Sequence, residues 1–235
     1  LDMIAATKRF LYFENQYFTC GKIAAAIAER LDENDPPEFV MVMPKTADGW
    51  LEQVAMDAAR VQLVRAVAKS KHGDRLKVYY PRTEAGEAIY VHAKTAILDD
   101  RLIRVGSANL NNRSMGLDSE CDVTIDAALP TNQGIEPEIR RLRESLIAEH
   151  LDVTPEEVAR RFETTGSLIE TIEVLRSDGR SLEWLDLAPP GPLDEFIAEN
   201  ELLDPTSPDA MFEGLTERGL RKSWHRGRDW MRRRL

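Results

Sequence analysis

Cysteine is almost missing from this sequence: Cys20 and Cys121 are the two in 235 residues, and they lie far apart. That excludes a disulfide framework and any cysteine spacing for a metal, so both read as packing residues in a reducing compartment. Histidine is scarce too, with four in the chain. No His/Cys/Asp cluster has ligand spacing, so no metal and no cofactor are expected. No apolar run reaches the roughly 18 residues of a membrane-spanning helix. The basic-then-apolar start of a signal peptide is missing, as is an initiator Met. The expectations are a cytoplasmic protein, in peripheral contact with a membrane at most, and a chain that continues upstream. Internal repeats and low-complexity tracts are absent.

Net positive charge is lacking over most of the length. The net charge is −10, but residues 216–235 hold eight Lys/Arg and two Asp/Glu, leaving −16 on the rest. An acidic body makes nucleic acid a poor expected partner, because phosphate backbones are held by basic patches. The basic tail carries Leu220, Trp224, Met231 and Leu235 near one helical stripe. That pattern fits a solvated end, an interfacial helix on anionic lipid, or the flank of a membrane segment.

What is present is a 43% hydrophobic, 31% charged composition, enough for a sizeable core. Strand-length apolar runs fall at Arg9 to Phe13, Phe39 to Met43 and Leu76 to Tyr80. Helical patterns lie between them, at Lys22 to Leu31 and from Trp50 to about Lys71. This alternation predicts an α/β layer with largely parallel strands. Ile89 to Leu98 and Leu102 to Val105, joined by Asp99-Asp100-Arg101, have hairpin spacing. A further strand at Asp122 to Ile125 makes the sheet mixed, and Glu136 to His150 reads as an amphipathic helix. The expected organisation is a catalytic unit over 1–150 and a helical extension over 151–235. Capping boxes at Thr154 and Ser167 mark helices in the extension, followed by a Pro-rich acidic connector over 188–208.

The chemistry-bearing stretch is His92 to Asp100, HAKTAILDD. In an extended strand alternate residues share a face, so His92 and Lys94 are expected to project together. An imidazole beside an ammonium suits an anionic substrate: one moves protons or attacks, the other holds phosphate oxygens. The hairpin returns Gly106-Ser107-Ala108-Asn109 to the same end, with Ser107 and Asn109 as neutral donors. Glu120 is placed to hold the second nitrogen of His92, as an orienting carboxylate does in a triad. Asp118 and Asp122 compete with it, and the period of two leaves all three on one face. Glu14, Asn15 and Gln16 end the first strand, where α/β sheets bind ligands, or cap the next helix.

His92-x-Lys94, then Asp99, then Gly106-Ser107-x-Asn109 resembles the HKD signature of the phospholipase D superfamily. FLYFENQYF, Phe10 to Phe18, resembles an element that precedes the C-terminal HKD motif of two-motif enzymes, and RSMGLDSE, Arg113 to Glu120, the segment that follows it. The resemblance covers about residues 9–126. It implies a phospholipase D fold half, a mixed sheet flanked by helices. It also implies phosphodiester chemistry without a metal, hydrolysing or transphosphatidylating phospholipids through a phosphohistidine. The implied site is His92, Lys94, Asn109, Glu120, Ser107 and Asp99, with Glu14, Asn15 and Gln16 toward the substrate. Asp99 fits a structural place at the turn better than a reacting one. The position of His92 matches the histidine usually given the general-acid role, and the nucleophile's role stays open. No other histidine has Lys two residues later. A second HKD half, upstream or from a dimer mate, is therefore an expected partner. The other readings are a homodimeric endonuclease and a catalytically silent interaction half.

Overall fold

Both faces of one sheet are buried, and the strand sequences say why. β1 (Phe10–Asn15) and β2 (Glu38–Val42) are buried at every position, the mark of strands covered by helices on two sides. The computed structural model describes residues 1–47, 50–185 and Asp204. The basic tail at 216–235, and the 188–208 connector apart from Asp204, lie outside the described residues.

After α1 (Asp2–Ala6), the chain runs β1, α2 (Gly21–Leu31), β2, α3 (Trp50–Val67), β3 (Leu76–Arg82). β1, β2 and β3 are parallel neighbours, joined through α2 and α3. β4 (Lys94–Leu98) then lies antiparallel to β1, β5 (Leu102–Gly106) to β4, and β6 (Asp122–Asp126) to β5. α4 (Asn112–Gly116) sits between β5 and β6 in the chain. α5 (Glu136–Leu151), α6 (Pro155–Thr165) and α7 (Leu168–Leu175) follow, and β7 (Ser181–Trp184) closes the far edge against β3. The strand order is β6-β5-β4-β1-β2-β3-β7, a mixed sheet.

Alternation along β1 divides the core. Leu11 and Phe13 join Phe39, Met41 and Leu98 under Ile23, Ile27 and Val64 of α2 and α3. Phe10 and Tyr12 join Val40, Val42 and Ile97 under Ile147, Phe162 and Ile172 of α5, α6 and α7. At roughly 1.5–3 kcal/mol per buried large apolar side chain, these two layers dominate the stability. The helices after residue 150 therefore pack on the same sheet as the motif. Their caps form as the sequence predicts: Thr154 accepts from the Glu157 N–H at 3.2 Å, and Ser167 from the Glu170 N–H at 3.0 Å.

One strand begins later than its sequence predicts. Ile89 to Leu98 reads as continuous strand, but β4 starts at Lys94. The strand order supplies the reason. β2 and β1 separate β3 from β4, so the chain must cross about three strand spacings, roughly 14 Å, before it can pair again. It turns at Gly86, which has φ +84°, and folds back on β3 through an Ile89 N–H bond to the Pro81 carbonyl. Residues 90–93 then make the crossing over the end of the sheet.

The opposite end of β4 is fixed by two aspartates. Asp99 and Asp100 both have positive φ, +51° and +56°, in the two-residue turn that suits a hairpin. The Asp99 carboxylate accepts from the N–H groups of Lys8, Arg9 and Phe10 at 2.8, 2.9 and 2.9 Å. Asp100 takes a bidentate bond from the fully buried Arg143, at 2.6 and 2.9 Å. That guanidinium also lies 4.6 Å from the Phe162 ring centroid, so α5 is bolted to the hairpin by charge and by ring contact.

Candidate active site

The crossing loop delivers His92 to the sheet end where β1 and β2 finish, β4 begins and β5 runs out. In open α/β sheets this is where ligands bind. His92 is exposed. It belongs to the loop, so the expectation that it shares a strand face with Lys94 is replaced by another link. The Lys94 ammonium donates to the His92 carbonyl at 2.9 Å. It also donates to the Gln16 amide oxygen at 3.1 Å. Burial lowers the Lys94 ammonium below an ordinary lysine's pKa, and the nearby Glu120 carboxylate opposes that shift.

β5 ends with Gly106 opposite Asp122. A side chain at Gly106 would collide with the Asp122 carboxylate and the Cys121 carbonyl. Glycine is what lets the two strands close here. Beyond it, Ser107 donates to Glu120 at 2.5 Å and accepts from the Cys121 N–H at 2.9 Å. Among the described residues Glu120 bonds Ser107 and makes no hydrogen bond to His92. Its neighbours are committed elsewhere: Asp118 to Arg113 at 2.9 Å, Asp122 to Arg104 at 2.8 Å. Among the described residues none of the three acids that competed for His92 bonds it, and Glu120 acts instead as a charge on Lys94. Asn109 is half-buried, and its Oδ1 has no hydrogen-bond partner among the described residues. A buried polar atom without a partner is costly, and it suits a site that awaits a ligand.

The other candidates separate. Gln16 is buried and reaches Lys94. Asn15 accepts from the N–H groups of Tyr17 and Leu110 at 3.2 and 3.1 Å, tying the end of β1 to the loop after β5. Glu14 points to the α5 side, where it accepts from Tyr12 at 2.7 Å and meets His150 at 3.0 Å. None of the three caps α2, whose N-cap is Cys20. Asp99 stands at the far end of β4, roughly 16 Å along the strand, and takes no part in the constellation. Cys20 is buried, but Cys121 is exposed and is not a packing residue.

The sequence reading missed Tyr90. Its ring stacks on His92 with centroids 6.4 Å apart and planes 20° apart. Tyr90 lies two residues before His92 in the crossing loop, where no strand period marks it. Also missed was Asp204, buried and accepting from Thr19 at 2.5 Å and from the N–H groups of Asn112 and Arg113 at 3.0 and 2.9 Å. It clips the segment that leads to Glu120. Among the described residues no three His, Cys, Asp or Glu side chains are grouped to hold a metal.

The family model described as Phospholipase D matches residues 21–165, more than half of the chain. The chain belongs to the phospholipase D family. A phospholipase D of Phytophthora infestans is 24% identical over 249 residues, covering 84% of this chain and 14% of that protein. Phospholipase D delta of Arabidopsis thaliana is 40% identical over 75 residues, covering 29% of this chain and 9% of that one. The chain thus spans a small part of the phospholipases D it matches. Among solved structures, phosphatidylserine synthase of Haemophilus influenzae Rd KW20 superposes with TM-score 0.46 at 16% identity, over 74% of this chain and 42% of that one. The family is one of phosphodiesterases. Among the described residues no helix is long and apolar enough to cross a membrane.

Proposed function

We propose that this chain supplies one half of a phospholipase D-type active site, acting on the phosphodiester of a phospholipid. The observation that carries the reading is the Lys94 ammonium. Two acceptors, Gln16 and the His92 carbonyl, fix it beside an exposed imidazole. Of its three N–H groups, one is left to meet a phosphate oxygen. Ser107 and Asn109 line the same end, and the Asn109 amide, turned over, offers N–H to a second oxygen.

In this reading one histidine attacks phosphorus and its N–P bond replaces the P–O bond to the alcohol. The other histidine protonates the departing alkoxide. Water or a second alcohol then attacks phosphorus, gives up its proton and frees the first histidine. His92 takes one of these roles, with the general acid preferred. Lys94 offsets the charge that gathers on the phosphate oxygens, as preorganised donors do. Such chemistry needs two histidines, and His92 alone has the following lysine. The partner half therefore comes from elsewhere, upstream on a longer chain or from a second copy. Val105 and Val123, paired across β5 and β6 next to the site, are 49% and 63% exposed. Apolar exposure there suits a surface that a second half covers.

Solution mass and turnover on a phosphatidyl substrate, measured on the same sample, test the proposal. The chain alone is expected to be monomeric and nearly inactive, since acid–base help is worth about 10²–10⁴ in rate. Joined to a second motif it gains activity that survives EDTA and is lost in His92→Ala. A stable homodimer with robust turnover on DNA would overturn the lipid reading and favour the endonuclease. Activity lost to EDTA and restored by a divalent ion would overturn the mechanism.

A further inference from the structure

Gln16 makes three side-chain hydrogen bonds, one to its neighbour Tyr17 and two across the site to Tyr90 and Lys94. Its Oε1 accepts from Lys94 at 3.1 Å, and its Nε2 donates to Tyr17 at 3.0 Å and to Tyr90 at 2.7 Å. It is 8% exposed, so these bonds have little water to compete with. The orientation of the amide is decided by chemistry. An ammonium only donates, so the oxygen must face Lys94, and both amide hydrogens then go to phenol oxygens. Tyr90 in turn lies against His92. One amide thereby ties the phosphate-holding lysine to the ring that backs the histidine, although His92 and Lys94 belong to different elements.

We propose that Gln16 is a positioning residue: its amide sets Lys94 and Tyr90 in one register, so that ammonium and imidazole meet the same phosphate. The inference rests on the phospholipase D-type reading for what the two groups do, but the linkage itself does not. Gln16 touches no reacting atom; it acts through Lys94 on one side and through Tyr90 on the other. The choice of a neutral amide is also explained. A carboxylate in place of the Gln16 amide would accept from Lys94 equally well, yet its charge would compete with the phosphate. The groups around the ammonium are Glu120 from the segment before β6, Gln16 from the end of β1, and the His92 carbonyl from the crossing loop, with Tyr90 and Tyr17 one bond further away. Glu120 is the acid whose charge already acts on it, and a second in contact would raise the lysine's titration midpoint.

The test is the NMR titration of Lys94 in isotopically labelled chain, assigned through Lys94→Arg, with inorganic phosphate as the probe ligand. Gln16→Glu is expected to move the Lys94 midpoint up and to weaken phosphate binding several-fold. Gln16→Met is expected to move the midpoint down and to alter the His92 ring resonances as Tyr90 loses its anchor. Tyr90→Phe, at an exposed position where folding is not at stake, keeps the ring and removes only the bond; it too should shift His92. Unchanged Lys94 and His92 signals in folded Gln16→Met and Tyr90→Phe would overturn the proposal. If the signals respond as expected while the two-motif enzyme cleaves no phosphodiester, the positioning role stands and the reaction assigned to the site falls.

Discussion

Replacing Asp99 separates holding the fold from doing the chemistry. Its carboxylate accepts three backbone N–H bonds at 2.8–2.9 Å, from Lys8, Arg9 and Phe10. Each bond to a charged group contributes about 1.5–3 kcal/mol when well shielded. Two of these three are solvent-exposed, and discounting them for screening leaves about 2–4 kcal/mol for the set. Position 99 also has φ +51°, which costs alanine about 1 kcal/mol more. Asp99→Ala is therefore expected to destabilise by about 3–5 kcal/mol, a large share of the roughly 5–15 kcal/mol of a folded domain. Asp99→Asn keeps one acceptor oxygen and tolerates the left-handed backbone, so about 1–2 kcal/mol is expected. Urea unfolding followed by tryptophan fluorescence gives both values. Turnover per folded molecule of the two-motif enzyme should stay close to normal, because the turn lies at the other end of β4 from His92. An unchanged urea midpoint together with a collapse in turnover would refute this reasoning and return Asp99 to the reacting group.

Two further outcomes are expected. Glu120→Gln should lower turnover less than Lys94→Ala, since it removes a neighbouring charge and not the phosphate-binding ammonium; Asp118→Asn and Asp122→Asn, whose partners are Arg113 and Arg104, should cost less turnover than Glu120→Gln, and the reverse order would reassign the carboxylate. We also propose that residues 216–235, with their net +6, bind anionic vesicles at about 1 kcal/mol per basic residue near the surface; equal sedimentation of the whole chain and of one ending at Gly214 would retire that idea.

How much was legible in the sequence depends on which physical signal each residue carries. β1 and β2 were readable because strands buried on two faces carry continuous apolar runs, here Phe10 to Phe13 and Phe39 to Val42. The helices α6 and α7 were readable because Thr154 and Ser167 sit where an N-cap must accept. β7 was not: Ser181–Trp184 is four residues long, and what makes it a strand is the edge of β3 that it meets. The start of β4 was misread for a related reason. Residues 90–93 have the composition of a strand, and only the sheet order shows that they have no neighbour to pair with while crossing β2 and β1.

The same distinction runs through the site. Spacing along the chain marked His92, Lys94, Ser107 and Asn109, because the hairpin of β4 and β5 is local and its register follows from its turn. Partners supplied from a distance were not marked. Period-2 logic set Asp118, Glu120 and Asp122 side by side, and nothing in it weighs Arg104 or Arg113. Once those arginines are placed, two of the three acids are neutralised in pairs and Glu120 alone is left beside Lys94. Its first partner is Ser107, so it reaches the lysine as a charge and not as a hydrogen-bond acceptor for the histidine. A carboxylate in that place opposes the effect of burial on Lys94 and so favours its charged form. On the proposed linkage, the orienting task that a triad would give to Glu120 falls to two neutral groups, Tyr90 of the crossing loop and Gln16 just after β1. Neither adds charge to the pocket, so the positive charge of Lys94 stays available to the phosphate.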